Sequence, residues 1–225
     1  MPRLDVWLVE TGRFHSRQAA KRAIRDGMVT INGRVAKSST QVTGSESIAV
    51  SMESSDAPVG YDKLKRLDTL LGGSLVSAGD LVLDIGSSAG GFLRYLAERG
   101  AVAKGIEVSN RFLEPLTELS ETWPSISVLI ADAFKTDPLN ISSEDELDVM
   151  LVDVTTDPEG TLALVERFSS LLKHNGRLIA AFKSKTRPDI VSALTATMSM
   201  LGYTDVHTIV LDESRQEFHL AAVRL

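Results

Sequence analysis

Residues 81–92 read LVLDIGSSAGGF, and this stretch decides the fold of the chain. An apolar run of strand length enters a glycine-rich bend at Gly86, which opens onto the start of a helix at Gly91. In open α/β sheets, ligands bind in such turns at the carboxyl ends of the strands. Ser88 replaces the second glycine of the GxGxxG pattern, which disfavours a pyrophosphate, and the acid at Asp84 suits a cation instead. The stretch therefore predicts a ligand site, with a tight turn that binds nothing as the alternative.

Strand and helix patterns alternate from residue 62 to the end of the chain. Such alternation predicts a parallel sheet with helices on both faces. The turn between the last two strands, at 204–211 and 217–224, is too short for a parallel connection, so the last strand must run antiparallel. We predict an α/β fold: a Rossmann-like, seven-stranded, mostly parallel sheet with an antiparallel last strand. The helix before its fifth strand is expected to run from Glu159 to His174.

The first fifty residues predict a separate, small α+β unit. A short helix covers 4–10, Ser16 is the expected N-cap of a second helix, and Asn32-Gly33 predicts a hairpin turn. The polar stretch that follows contains Pro and Gly and is typical of a linker. We divide the chain into a first domain at 1–51, a linker at 52–61 and a second domain at 62–225.

Charge is distributed unevenly along the chain. Residues 1–50 hold eight lysines and arginines against four acidic residues, whereas the remainder holds sixteen against twenty-six. Arg17, Lys21 and Arg25 are spaced to form one basic stripe on the second helix. The asymmetry indicates a basic module that contacts a polyanion beside an acidic body. A chance fluctuation over fifty residues, with a merely solvated helix face, is the alternative.

Composition excludes several classes of protein. The chain has no cysteine, so disulfides, thiolate metal sites and cysteine nucleophiles are excluded, and its four histidines show no zinc-binding spacing. We therefore expect no metal site. No apolar run reaches the roughly 18 residues of a membrane span, and the first residues have no signal-peptide core. The expected location is the cytoplasm.

Acidic residues follow three successive strands of the predicted sheet. Glu107 lies 23 residues after Asp84, at the end of the next strand, where an acid can accept hydrogen bonds from a ribose diol. Asp132, just past the third strand, can meet an adenine amino group. Each acid alone could be a solvated or capping residue, but three at one sheet edge favour a nucleoside ligand.

The pattern Asp-Ile-Gly-x-x-x-Gly-Gly-Phe, with the two further acids, resembles the S-adenosylmethionine site of Rossmann-like methyltransferases, specifically of the FtsJ type. The resemblance covers residues 62–225 and implies S-adenosylmethionine as the cofactor. The cofactor-binding residues that it implies are Asp84, Gly86, Ser87, Ser88, Gly90, Gly91, Phe92, Glu107 and Asp132.

The FtsJ resemblance also implies a Lys-Asp-Lys-Glu tetrad for ribose 2′-O-methylation, and Lys65, Asp153, Lys183 and Glu217 fit its four places. The predicted topology brings the ends of the fourth and fifth strands and the start of the antiparallel strand to one edge, beside Asp84. A sugar hydroxyl needs such a cluster because it is a weak nucleophile. The sequence leaves open whether Lys183 is a general base or only orients the hydroxyl. An ordinary surface ion-pair network is the alternative.

Residues 3–50 resemble the RNA-binding domain named after ribosomal small-subunit protein S-four. The matching pattern is Arg-Leu-Asp from residue 3, then Ser16-Arg17-x-x-Ala20-x-x-x-Ile24-x-x-Gly27 and the Val29–Val35 hairpin with Asn32-Gly33. The resemblance implies binding to folded RNA through its shape and phosphates. The RNA-binding residues that it implies are Arg3, Arg17, Lys21, Arg25, Asn32 and Arg34.

An S-four-like domain followed by an FtsJ-like domain resembles the arrangement of the TlyA family. Members of this family are often labelled haemolysins, and the family is similar to ribosomal RNA 2′-O-methyltransferases that act on cytidine. The implied partner is RNA, either ribosomal RNA or a ribosomal subunit, with no DNA and no membrane. The chain departs from the family at residues 59–62 and in the segment after Asp153. The sequence thus predicts an RNA ribose methyltransferase. The alternatives are an RNA-binding protein whose methyltransferase body is catalytically silent, and a small-molecule methyltransferase.

Overall fold

The computed structural model describes residues 2–14, 16–25, 29–37, 39–44, 46–50, 60–214 and 216–225, without the side chains of residues 22 and 25. The chain forms two compact units, Met1–Pro58 and Val59–Leu225. Most of the predicted linker lies outside the described residues, and Tyr61, which we assigned to the linker, is already helical.

The first unit packs two helices on a small sheet. Helix α1 spans Leu4–Glu10 and α2 spans Arg17–Arg25, and strands β1 (Val29–Ile31), β2 (Arg34–Val35) and β3 (Ile48–Val50) lie in the order β2-β1-β3.

Local sequence signals explain how the elements of the first unit begin and turn. Ser16 caps α2, since its Oγ accepts a hydrogen bond from the Ala19 N–H at 3.2 Å. Asn32 and Gly33 have left-handed backbones, with φ of 50° and 77°, and join two antiparallel strands as their hairpin turn requires. Gly27, expected after α2, lies outside the described residues.

The second unit is a seven-stranded sheet with helices on both faces. The strands lie in the order β6-β5-β4-β7-β8-β10-β9, and β10 pairs antiparallel with both β8 and β9, whereas the other pairs are parallel. The predicted fold class is confirmed. The elements are α3 (Tyr61–Leu70), β4 (Leu81–Ile85), α4 (Gly91–Glu98), β5 (Val102–Glu107), α5 (Leu113–Thr122), β6 (Ile126–Ile130), β7 (Leu147–Val152), α6 (Pro158–Phe168), β8 (Leu172–Phe182), α7 (Pro188–Met200), β9 (Tyr203–Ile209) and β10 (Phe218–Arg224).

The expectation that the helix before the fifth strand reaches His174 is wrong. Helix α6 ends at Phe168, one 3₁₀ turn covers Ser169–Leu171, and β8 begins at Leu172. Leu172 is buried and pairs with Leu147 of β7, and the chain then bulges before the regular pairing resumes at Arg177. Burial of these apolar side chains overrides the helical pattern of the segment, because tertiary packing outweighs local propensity.

Alternate side chains of the central strands fill two cores, one on each face of the sheet. Along β7, Val149 and Leu151 belong to the core beneath α3 to α5, whereas Met150 and Val152 belong to the core beneath α6 and α7. This double burial fixes the strand ends rigidly. The carboxyl ends of β4, β5, β7 and β8 therefore meet the start of β10 at one edge of the sheet.

Candidate active site

Asp84, next to last in β4, carries an unpaired carboxyl group in the interior. The residue is fully buried, and neither carboxyl oxygen has a hydrogen-bond partner within the described part of the chain. Burial raises the pKa of Asp84 to about 7 against the opposing effect of the Ser87 side chain, and the nearby carboxylates of Asp153 and Glu107 add to the rise. A buried polar group without a partner is unfavourable, so this position fits a ligand that brings a cation or a hydrogen-bond donor.

The turn after β4 passes close to the segment that follows β7. Gly86 has a φ of 96°, and a Cβ at this position would overlap the carbonyl oxygen of Asp153. Ser88 also has a left-handed backbone, with a φ of 49°. The turn then reaches Gly90 and enters α4, and the predicted binding residues Ser87, Gly91 and Phe92 are buried along it. Glycine is required at Gly86 by both space and conformation.

Glu107 ties the glycine-rich turn to the end of β5. Its carboxylate accepts hydrogen bonds from the backbone N–H groups of Ser88 and Ser109, both at 2.8 Å, and the residue is almost fully buried. A carboxylate has more lone pairs than these two donors occupy, so ribose hydroxyls could still be accepted.

Asp132 lies one strand further along the same edge, after β6. Its carboxylate accepts a hydrogen bond from the Phe134 N–H and pairs with Lys135 at 3.1 Å. These hydrogen bonds hold the pKa of Asp132 below its usual value. The structure thus places the acids in the order that the sequence predicts, although Asp132 is engaged locally.

Four charged side chains form a compact cluster at the same sheet edge. Lys183 contacts Asp153 at 2.5 Å and also pairs with Glu217. Lys63, on α3, lies 2.7 Å from Asp153 and 2.7 Å from Glu217. Each of these side chains is 18–25% exposed, so a bound substrate could reach the cluster.

The prediction that Lys65 joins Asp153, Lys183 and Glu217 is wrong as to position: Lys65 is exposed outside this cluster, and Lys63 lies beside the two carboxylates instead. Residues two apart on a helix point about 200° away from each other, so one helix cannot present both lysines to the same site. Lys63 lies one turn before the buried Leu67, whereas Lys65 faces solvent. The helical periodicity of Leu64 and Leu67 indicates the buried face of α3, but it does not show which of the two lysines meets the sheet edge.

The protonation states of the cluster follow from mutual pairing. Burial alone would raise the pKa values of Asp153 and Glu217, but the two lysines hold these pKa values below the usual ones. Burial alone would lower the pKa of Lys183, yet the Asp153 and Glu217 carboxylates raise it above its usual value. Lys183 is therefore protonated near neutral pH, which favours the orienting role over the general base.

Three basic residues of the first unit converge on one buried acid. Asp5 has no exposed side-chain surface and pairs with Arg3 at 3.2 Å, Arg17 at 3.1 Å and Lys21 at 3.7 Å. Burial opposes the charge of Asp5, but Arg17 and Arg3 hold its pKa below the usual value. The three cations are about half exposed, so they remain available to an anion while Asp5 fixes their positions. Asp5 belongs to the Arg-Leu-Asp pattern of the sequence, but that pattern does not assign it this role.

The other predicted RNA-binding residues differ in their surroundings. Asn32 is committed to the hairpin, since its Oδ1 accepts a hydrogen bond from the Ser47 N–H at 2.9 Å. Arg34 is exposed on β2. The side chain of Arg25 lies outside the described residues.

Neither a membrane span nor a metal-binding group is found within the described residues. No described helix is long and apolar enough to cross a membrane. No group of three or more potential metal-binding histidines or acids is found there either.

The sheet order, the ligand turn and the charged cluster define a doubly wound α/β protein of the methyltransferase class. Comparison with family models gives two matches, an S4 domain at residues 2–48 and an FtsJ-like methyltransferase at residues 60–209. The second match spans well over half of the chain. The chain belongs to the FtsJ-like methyltransferase family.

The proteins that are similar in sequence to this chain include two kinds of RNA methyltransferase. The chain is 37% identical over 100 residues to the 16S/23S rRNA (cytidine-2′-O)-methyltransferase TlyA of Mycobacterium tuberculosis, a match that covers 44% of this chain and 37% of that protein. The match thus spans little more than a third of that relative's length. The chain is also 28% identical over 162 residues to a fibrillarin-like rRNA/tRNA 2′-O-methyltransferase of Haloarcula marismortui, covering 70% and 73% of the two chains.

Two solved structures have folds similar to that of this chain. A candidate hemolysin from Streptococcus thermophilus matches with a TM-score of 0.64 and 18% identity, covering 99% of this chain and 88% of that one. Aeropyrum pernix fibrillarin, solved with natively bound S-adenosyl-L-methionine, matches with a TM-score of 0.59 and 21% identity over 71% of this chain and 74% of that one. At these identities the likeness shows the fold alone.

Proposed function

We propose that this chain is a cytoplasmic enzyme that transfers a methyl group from S-adenosylmethionine to the 2′-hydroxyl of an RNA ribose, with a cytidine of ribosomal RNA as the target. The observation that carries the proposal is the convergence of Lys63, Asp153, Lys183 and Glu217 at the sheet edge that also carries the unpaired carboxyl of Asp84. The two relatives described above are named 2′-O-methyltransferases, which supports the same reaction.

The residues at the glycine-rich turn fit S-adenosylmethionine. Asp84 is a buried carboxyl group that lacks a partner, as a contact for the cationic amino group would require. Glu107 would hold the ribose and Asp132 the adenine, while Gly86 and Gly90 let the turn pack closely against Asp153 and Leu119. S-adenosylmethionine supplies the methyl group as an electrophilic carbon on a sulfonium.

The charged cluster would act on the acceptor ribose. Lys183, held protonated by two carboxylates, would donate a hydrogen bond to the 2′-oxygen and fix it in line for attack. Lys63 holds the same two carboxylates from the other side, so the cluster stays neutral and rigid. As the new O–C bond forms, the hydroxyl proton becomes strongly acidic, and even carboxylates of lowered pKa can accept it. The cluster thus mainly positions the hydroxyl rather than abstracting its proton beforehand.

The decisive experiment incubates the purified protein with S-adenosylmethionine and ribosomal RNA, free or in isolated subunits, and maps the methylated nucleotides. A 2′-O-methyl group at a defined cytidine is expected, and a transcript with a 2′-deoxy sugar at that position should accept none. RNA binding without methyl transfer would instead identify a catalytically silent binding protein. Transfer to a small molecule alone would also contradict the proposal.

Replacement of Asp84 tests the cofactor site. Asp84→Asn is expected to weaken S-adenosylmethionine binding at least tenfold, because the neutral amide cannot form an ion pair with the cationic amino group. The wild-type affinity should rise about tenfold from about pH 5.5 to pH 7, since the pKa of Asp84 is about 7 in the free protein and only the ionised form attracts a cation. The Asn variant should lack this rise in calorimetric titrations.

Thermal unfolding provides the control for Asp84→Asn. Folding raises the pKa of Asp84 from 3.8 to about 7, so the unfolded chain releases this proton first and the folded wild type loses relative stability as pH rises from about 4 to 7. The variant has no such group and should lose less stability over this range. A folded variant with wild-type affinity at both pH values would remove Asp84 from the cofactor site.

Replacement of Arg17, Lys21 and Arg25 by alanine tests the first unit as the RNA anchor. The triple variant is expected to bind RNA more weakly, and each lost phosphate contact should make the plot of log K against log salt shallower by about one. Methyl transfer at saturating RNA should survive. Among the described residues, Asp5 would keep Arg3 as its one partner, so the same variant with Asp5→Asn is needed to avoid a buried charge with too little compensation. Unchanged RNA affinity at every salt concentration would show that these residues are a solvated face.

A further inference from the structure

His219 is a buried, unpartnered histidine beside the charged cluster. It is the second residue of β10, where it pairs with Ala181 of β8 and Ile209 of β9. The side chain is 1% exposed, and neither ring nitrogen has a hydrogen-bond partner within the residues that the structure describes. Buried polar groups are nearly always hydrogen-bonded, so this imidazole calls for an explanation.

The ring of His219 lies next to the carboxylate of Glu217. Its Nε2 is 3.5 Å from Oε1 of Glu217, the same oxygen that Lys63 contacts from the opposite element at 2.7 Å. This separation is slightly too long for a hydrogen bond, and such contacts often tighten when substrate binds. The other charged groups that face this region are Asp153, after β7, and Lys183, after β8.

The protonation state of the imidazole follows from these neighbours. Burial and the charge of Lys63 lower the pKa of His219 to about 4, so the ring is neutral near pH 7. Glu217 is ionised, because its two lysine partners lower its pKa. An ionised carboxylate can only accept hydrogen bonds, so a hydrogen bond between the neutral ring and Glu217 requires the ring proton on Nε2, the nitrogen that faces it.

We propose that His219 is a positioning residue that donates a hydrogen bond from Nε2 to Glu217 and so keeps this carboxylate ionised and aimed at Lys63 and Lys183. The inference rests on the proposed function, in which the two lysines orient the acceptor hydroxyl. His219 itself is too deeply buried to touch the RNA. Its place in the sequence, two residues after an acid at a strand start, did not distinguish it from an ordinary core histidine.

Two substitutions separate the hydrogen bond from the packing of the ring. His219→Gln can place an amide N–H near the position of Nε2, whereas His219→Leu fills similar space without a donor. We expect His219→Leu to lower kcat about tenfold with KM for RNA unchanged. In the plot of kcat against pH, the acidic limb should move up by about one pH unit, because Glu217 would be protonated more easily. His219→Gln should recover most of kcat and return the limb toward its wild-type position.

NMR titration of the Glu217 carboxyl, assigned with Glu217→Gln, gives a readout that does not need turnover. The pKa of Glu217 should rise in His219→Leu and stay near the wild-type value in His219→Gln. If the wild type transfers no methyl group, the proposed function fails, but the titration still decides whether His219 holds Glu217. An unchanged Glu217 pKa in a folded Leu variant, or a Gln variant that behaves like Leu in both readouts, would overturn the inference.

Discussion

Lys63→Ala is expected to lower the rate of methyl transfer by about 10²–10⁴-fold, whereas Lys65→Ala should leave it within about twofold. Lys63 contacts both carboxylates of the cluster at 2.7 Å, and its loss would leave Asp153 and Glu217 to share one cation. Lys65 lies on the exposed side of the same helix and makes no contact with the cluster. The measurement is single-turnover methyl transfer with saturating cofactor and RNA.

The two lysine variants are matched controls for each other. Both replace a lysine of α3 by alanine, at positions two residues apart. A general effect on helix stability or on net charge would therefore appear in both variants. Calorimetry should show near-normal S-adenosylmethionine affinity in each, and thermal melting should show that each is folded. A large loss of rate in Lys65→Ala, with Lys63→Ala active, would reverse the assignment made from the structure.

Lys183→Ala is expected to lower the rate of methyl transfer by about 10²–10⁴-fold while cofactor affinity stays near normal. The lysine bridges Asp153 and Glu217, and its removal would leave one lysine for two carboxylates and no donor for the acceptor hydroxyl. Single-turnover rates and calorimetric affinities measured on the same preparation separate chemistry from binding. A variant that keeps most of its turnover would refute the role proposed for the cluster.

The pH dependence of the wild-type rate distinguishes an orienting lysine from a general base. The Asp153 and Glu217 carboxylates raise the pKa of Lys183 above its usual value, so the deprotonated fraction is small and grows about tenfold for each pH unit up to pH 9. If Lys183 had to lose its proton first, the rate of the chemical step would rise with the same slope. We expect a nearly flat profile from about pH 7 to 9, because the protonated lysine orients the hydroxyl.

The sequence alone determined the architecture of the second unit. The alternation of strand and helix patterns and the short last connection led to a mostly parallel sheet with an antiparallel last strand, which the structure confirms. The Asn32-Gly33 hairpin and the Ser16 cap were equally predictable. These features depend on local preferences, such as a left-handed backbone at a turn or burial on both faces of a strand. Such preferences can be predicted from the residues of the segment itself.

Only the tertiary structure decided which side chains meet. Lys63 rather than Lys65 reaches the cluster because the rotation of α3 against the sheet is set by packing of the buried Leu64 and Leu67, which are contacts between distant segments. The same holds for the unpaired carboxyl of Asp84 and for the ring of His219 next to Glu217. Spacing along the chain brings candidate residues to one sheet edge, but the direction of a side chain, its burial and its protonation depend on neighbours that folding brings from elsewhere in the sequence.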